Sequence, residues 1–296
     1  MSVVEQQLTT VRLQRSPFER RALRNGMLTV GAWAAALVAA VPLVSVLYML
    51  IVRGGARLGW EAVSTLPPAG FEMGGGFGNA IVGTVVMVGL GGLLSIPLGV
   101  LAAVFLAELG PTHRLSRIAR FATKTLTGMP SILAGVFAYA VVVLLTGTYS
   151  APAGGLALAV LMLPTVILTA EGAIKAVPKI TRDAAHGMGC TRTQVVWKVL
   201  LPTAMPGIIT GVMLAIARAA GETAPLLFTA LFSSYWLFDS GAKLMQPTAS
   251  LAVLIYNFAG MPFENQIELA WAASLVLVLI VLIINIVSRL VGQRRV

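Results

Sequence analysis

The chain has 296 residues, 57% of them apolar and only 11% charged, with a mean hydropathy of +0.89. That composition excludes an ordinary water-soluble domain and calls for a bilayer. The net charge of +10 would suit a nucleic-acid binder, but the basic residues gather in alternate loops between apolar runs, as in a membrane protein.

Six runs reach the roughly 20 apolar residues that a helix needs to cross about 30 Å of hydrocarbon. They are continuous, which favours helices over the alternating strands of a barrel. A basic segment, residues 1–26, carries Arg12, Arg15, Arg20, Arg21 and Arg24 ahead of the first run, Met27 to Val52. That run is too long for a signal-peptide core and is followed by others, so an uncleaved anchor is expected. The next loop, Arg53 to Gly78, holds Pro67, Pro68 and Gly74 to Gly76 and is expected to be irregular. No Lys-Ser/Thr pair follows its glycines, so it lacks the pattern of a phosphate-binding loop.

The second run, Asn79 to Leu106, contains Pro97; a basic loop with Arg114, Arg117, Arg120 and Lys124 leads to the third, Gly128 to Thr146. The fourth, Gly154 to Glu171, contains Pro164. Prolines are tolerated in spans because neighbouring helices re-satisfy the freed backbone groups, and they mark kinks.

The loop after the fourth run is again basic, with Lys175, Lys179, Arg182, Arg192 and Lys198. Helix-forming alanines, a glycine at 189 and an amphipathic stretch ending at Pro202 predict two short helices meeting at a turn near Gly189. Val195, Val196 and Val199 share an apolar side that needs something to pack on, with Trp197 off that side and available to a partner. Cys190, the single cysteine, lies in this loop and permits no disulfide within the chain.

The fifth run, Gly207 to Phe232, carries Arg218 and Glu222 about halfway along. An arginine at that depth costs on the order of 2.5 to 3.5 kcal/mol. At about 100° per residue, Gly207, Gly211, Leu214, Arg218, Gly221, Glu222 and Pro225 fall on one face. Ile209, Val212, Ile216 and Leu227 fall on the other, which suits lipid, while Gly207 and Gly211 permit close helix approach and the charges face protein or a watery path. The pair permits an i,i+4 salt bridge that only holds helices together, or a forked donor for an oxyanion restrained by Glu222 when empty.

Tyr235, Trp236 and Trp271 read as interfacial aromatics. Leu251 to Phe258 is too short to span and is expected to be re-entrant or interfacial. The sixth run is Glu268 to Ser288, and Arg289, Arg294 and Arg295 follow. The opposite loops hold only Arg53, Arg57 and Lys243, so the positive-inside rule puts both termini and the basic loops in the cytoplasm. His113 and His186 have no cysteine cluster near them, and no metal or catalytic site is expected.

Two motifs carry a resemblance. Asp183-Ala184-Ala185, three residues, Gly189, nine residues, then Val199-Leu-Leu201-Pro202 is similar to the EAA motif of binding-protein-dependent ABC importer permeases, with Asp183 for Glu and Val199 for Ile. The resemblance implies that this loop docks on a separate ATPase subunit and transmits its closure. Arg218-Ala-Ala-Gly221-Glu222-Thr223-Ala-Pro225 resembles the fifth-span signature of phosphate importer permeases, of the PstA type more than its PstC-type partner.

The fold this implies is an all-α integral membrane protein with six transmembrane helices, the type I ABC importer permease fold, over residues 27–296, with a cytoplasmic coupling loop at 173–205. Implied partners are a PstC-type second permease subunit, a PstB-type ATPase dimer and a PstS-type extracytoplasmic phosphate-binding protein. The chain has no Gly-x-x-x-x-Gly-Lys-Ser/Thr sequence, so ATP and Mg belong to the ATPase and no cofactor is expected here. Arg218, Glu222 and Thr223 are the expected substrate path. A permease for phosphonate, sulfate or molybdate, an ion-coupled secondary transporter with Glu222 as proton carrier, and a signalling subunit are the rival readings.

Overall fold

A computed structural model describes residues 20–108, 113–238 and 244–293. Arg12, Arg15, Lys243, Arg294 and Arg295 lie outside the described residues. The chain divides into two compact units, residues 1–49 and 50–296.

In the first unit a single helix, α1, runs from Arg20 to Met49. From Gly26 to Met49 it is apolar on nearly every side, Trp33 and Val38 among its residues. A helix greasy all round is stable only in lipid or against another apolar surface.

The second unit is all helix and turn among the described residues: α2 (Trp60–Ser64), α3 (Gly78–Glu108), α4 (Arg114–Thr127), α5 (Ser131–Thr146), α6 (Ala151–Ala176), α7 (Lys179–Gly187), α8 (Arg192–Ala220), α9 (Ala224–Leu227), α10 (Leu251–Ala259) and α11 (Glu264–Gln293). Among the described residues of the whole chain, five helices are long and apolar enough to cross a membrane, the helical stretch Leu23–Arg57 included, and the pair α4–α5, bent by 107°, makes up to six. The loop from Arg53 to Gly78 is less irregular than expected, since a helical stretch continues to Arg57 and α2 follows.

α6 is the buried centre of this unit and packs on α3 and α8, where Met87, Leu158, Met162, Val166 and Ile174 form the core. It starts cleanly: Ser150 accepts a hydrogen bond from the Ala153 amide at 3.3 Å, and Pro152 occupies the first turn, where its missing donor costs nothing. Gly207 and Gly211 of α8 bear on Ala173 and Thr169 of α6, leaving no room for a side chain at either position. The close approach expected of them is therefore present.

Two expectations about the fifth span are corrected. The span starts at Arg192, so the second coupling stretch is no separate helix. Pro202 lacks an amide hydrogen and crowds the carbonyl four residues back. The helix absorbs this by widening into a π turn over Val196–Leu200, in which the Leu201 amide bonds Val196 O, and continues through the proline. The span then stops at Ala220, not Phe232. Gly221 closes the last turn, its amide bonding Arg218 O at 3.1 Å, and the chain restarts as α9 with Pro225 in its first turn. Arg218 thus sits in the final turn of α8, not halfway along a span.

The short segment after Ser250 forms α10, and it is packed inside the protein. Leu251, Val253 and Leu254 are fully covered, and the Leu251 amide bonds Thr84 Oγ1 at 2.9 Å. Tyr235 is open at 78%, while Trp271 is half-covered beneath Arg53, 5.8 Å from its ring.

Candidate functional site

The candidate path residues come together where α8 breaks. Arg218 Nε lies 3.4 Å from Glu222 Oε1; the arginine side chain is 53% exposed and the carboxylate 17%. A cation in the last turn of a helix faces the negative end of its dipole, which favours this placement. Glu222 and Thr223 belong to the non-helical link between α8 and α9, and the Thr223 carbonyl accepts from the Leu226 and Leu227 amides. Irregular backbone within an apolar region is sustainable only where it is buried in protein or lines a watery cavity.

The two faces of α8 reverse one part of the sequence expectation. Val212 is buried and Ile216 packs against the core, so the greasy face meets protein and not lipid. The open face carries Gly207, Thr210, Leu214, Arg218 and Gly221. The physical reason is that α8 packs between two helices, α6 against Gly207 and Gly211 and α11 elsewhere on its surface, so most of its circumference is covered. The remaining stripe, in which Thr210 and Arg218 are the polar side chains, is left uncovered in the chain.

Gly135 holds α5 close to the break. A side chain there would run into the backbone of Pro225, with a Cβ 2.6 Å from its Cα. α5 therefore bears directly on the segment that follows Arg218 and Glu222.

The loop motif forms one helix and a capped turn. α7 ends in two nested bonds, Cys190 N to Ala185 O at 3.1 Å and Gly189 N to His186 O at 2.9 Å. This closure requires a left-handed residue after the helix, and Gly189 supplies it with φ of +83°. Thr191 and Gln194 then cap α8 reciprocally, each side chain bonding the other's backbone amide. Among the motif residues Asp183, Ala184, Gly189 and Pro202 are exposed, Ala185 is buried and Leu201 is 7% exposed. Val195 is buried and Val196 and Val199 pack on the core, so the valine side finds its partner within the chain. Trp197 stays 59% exposed, as expected. A cavity of about 450 Å³ lies beside it, lined by Glu108, His186, Arg192 and Val196 among others.

A charge network behind α7 had no counterpart in the sequence reading. Arg182 donates to the carbonyl of Ile174, in the last turn of α6, at 2.8 Å, and its other terminal nitrogen lies 3.6 Å from Glu108 at the end of α3. Glu171, 6% exposed, takes Arg120 of α4 at 2.7 Å and Lys175 one turn on. Glu171 and Lys175 are four apart, which the sequence does disclose. Arg120 is 51 residues away, and only the fold brings it in.

A family model described as "Binding-protein-dependent transport system inner membrane component" matches residues 95–296. The chain is 37% identical over 94% of its length, and 98% of the relative's, to "Phosphate transport system permease protein PstA" of Pasteurella multocida. It is 40% identical to the protein of that name from Haemophilus influenzae, over 84% of this chain and 87% of that one. A "Probable phosphate transport system permease protein PstA" of Methanocaldococcus jannaschii is 38% identical over 73% and 75%. Among solved structures, a bacterial alginate ABC transporter superposes with a TM-score of 0.65 at 15% identity, covering 94% of this chain and 98% of that one. The inward-facing MetNI methionine ABC transporter superposes at 0.55 and 22%, covering 74% and 93%. At these identities the superpositions speak to the fold alone.

Proposed function

The chain belongs to the binding-protein-dependent transport system inner membrane components, a multi-pass membrane permease subunit, and we propose how it works as one half of an ATP-driven importer of inorganic phosphate. The relatives that cover most of its length bear that activity in their names. The observation that carries the site is Arg218: a half-exposed guanidinium on the uncovered face of a broken span, restrained by one contact to Glu222 at 3.4 Å.

Arg218 offers a forked donor to the oxygens of a phosphate ion and lowers the barrier to an anion entering low dielectric. Glu222 holds the guanidinium in place when the path is empty and yields it to the incoming anion. Thr223, beside it in the break, completes the polar lining. A path with few charges suits transport, because cargo held by many donors would not leave.

By the positive-inside rule both termini and the α7 loop face the cytoplasm. There Asp183, Ala184 and Gly189, with Pro202 on α8, dock on a PstB-type ATPase dimer that binds ATP and Mg, while the buried Ala185 and Leu201 hold the docking segment to the rest of the chain. A PstC-type subunit supplies the other half of the path, and a PstS-type binding protein delivers phosphate from outside. ATP closes the ATPase dimer, the loop is drawn with it, and α8 shifts as a continuous lever from Arg192 to the break at Gly221. α5, resting on Pro225, moves with the segment beyond the break.

The test is ATP-dependent phosphate uptake by vesicles rebuilt with the partner subunits. Removing a charge-assisted hydrogen bond of about 1.5–3 kcal/mol predicts a loss of about tenfold or more for Arg218→Ala, and partial recovery in Arg218→Lys. Wild-type uptake in both Arg218→Ala and Glu222→Ala would remove the site.

A further inference from the structure

α4 is amphipathic in an inverted sense. The side it turns to the protein is polar: Ser116 and Thr123 are buried, and Arg120 reaches Glu171 at 2.7 Å and the Leu106 carbonyl at 3.3 Å. The side it turns outward is greasy, with Leu115 at 53%, Ile118 at 63% and Phe121 at 71% exposure. At 100° per residue Arg117 and Lys124 run along one edge of that apolar stripe and Arg114 lies within it in the first turn, all three exposed and away from the buried side.

Neither bulk water nor the hydrocarbon core accommodates both sets of side chains. Water leaves three large apolar side chains uncovered, and the core would swallow three cations without partners. The boundary between them satisfies each: apolar side chains dip toward the acyl chains while the cations stay among the headgroups. The geometry agrees, because α4 meets α5 at 107° across Gly128 to Pro130. If α5 crosses the membrane, α4 lies nearly in its plane. By the positive-inside rule that plane is the cytoplasmic leaflet, whose surface is negative.

We propose that α4 is an in-plane helix that binds the anionic phospholipids of the cytoplasmic leaflet, with Leu115, Ile118 and Phe121 inserted and Arg114, Arg117 and Lys124 holding the headgroups. Arg120 and Glu171 then clamp this lipid-bound helix to α6, so the leaflet supports the base of the bundle. The proposal rests on the membrane reading and on no assignment of cargo.

The test uses the complete importer in vesicles. In a Cys190→Ser background, Ala122→Cys, on the exposed apolar side, carries a fluorophore, and the vesicles contain nitroxide-labelled lipids. The expected result is strong quenching by headgroup-labelled phosphatidylglycerol and weaker quenching by headgroup-labelled phosphatidylcholine. In Arg114→Gln/Arg117→Gln/Lys124→Gln that preference should fall by about fivefold per cation removed. Quenching by a water-soluble reagent with none from lipid would overturn the proposal. So would protection from both in the importer that disappears when the permease stands alone, since a partner protein would then cover the face. Equal quenching by the two lipids would overturn the role of the cations. The single-site label reads the outcome even if the triple variant fails to assemble.

Discussion

Replacing Arg182 with alanine should loosen α7 without touching the residues proposed to dock on the ATPase. α7 buries only Ala185, so apolar contact holds it weakly and Arg182 supplies much of its attachment. The hydrogen bond to Ile174 O at 2.8 Å is worth about 1.5–3 kcal/mol as a charged donor on a carbonyl. The 3.6 Å approach to Glu108, with side chains 24% and 29% exposed, adds about 0.5 kcal/mol after solvent screening. A combined loss of about 2–3.5 kcal/mol corresponds to about 30- to 300-fold more frequent local opening. Amide hydrogen exchange across residues 179–190 of the reconstituted complex measures that directly. Arg182→Lys, which keeps a cation but not the fork, should fall between alanine and wild type. Phosphate moved per ATP should drop in Arg182→Ala while the ATPase stays bound. Exchange within twofold of wild type in Arg182→Ala would refute the claim that this side chain ties α7 to the membrane helices.

Glu171→Ala should lower the melting temperature of the purified permease more than Glu171→Gln does. It strands Arg120 beside a buried position, and with Lys175 half-exposed the loss is about 2 kcal/mol, below the usual range for a fully buried pair. Gly189→Ala has open space around it but must hold φ of +83°, at a cost of about 1–2 kcal/mol. Gly189→Asn should be milder, and the comparison is read from ATPase co-purification and uptake. Met188→Cys, at a site 78% exposed beside the turn, should crosslink to the ATPase in at least one nucleotide state; no crosslink in any state would count against docking through α7.

The sequence by itself determined the all-helical membrane class and the turn at Gly189. Each depends on something written along one dimension: apolar length against bilayer thickness, or one residue type that alone tolerates a left-handed backbone. Both motifs were legible for the same reason, since their residues lie within about twenty positions of one another. The expectation failed where two local signals competed. Hydropathy ran through Gly221 and Pro225 and merged a span with the segment beyond its end. Pro202 read as a stop, yet a π turn let the helix continue. Which face of α8 would be covered depended on how α6 and α11 pack around it, and Val212 and Ile216 were covered with them. The partner of Glu171 and the two ends that Arg182 joins were likewise decided only by tertiary structure. A charge finds its counter-charge by proximity in space, and the spacing of residues 51 or 74 positions apart carries no trace of it.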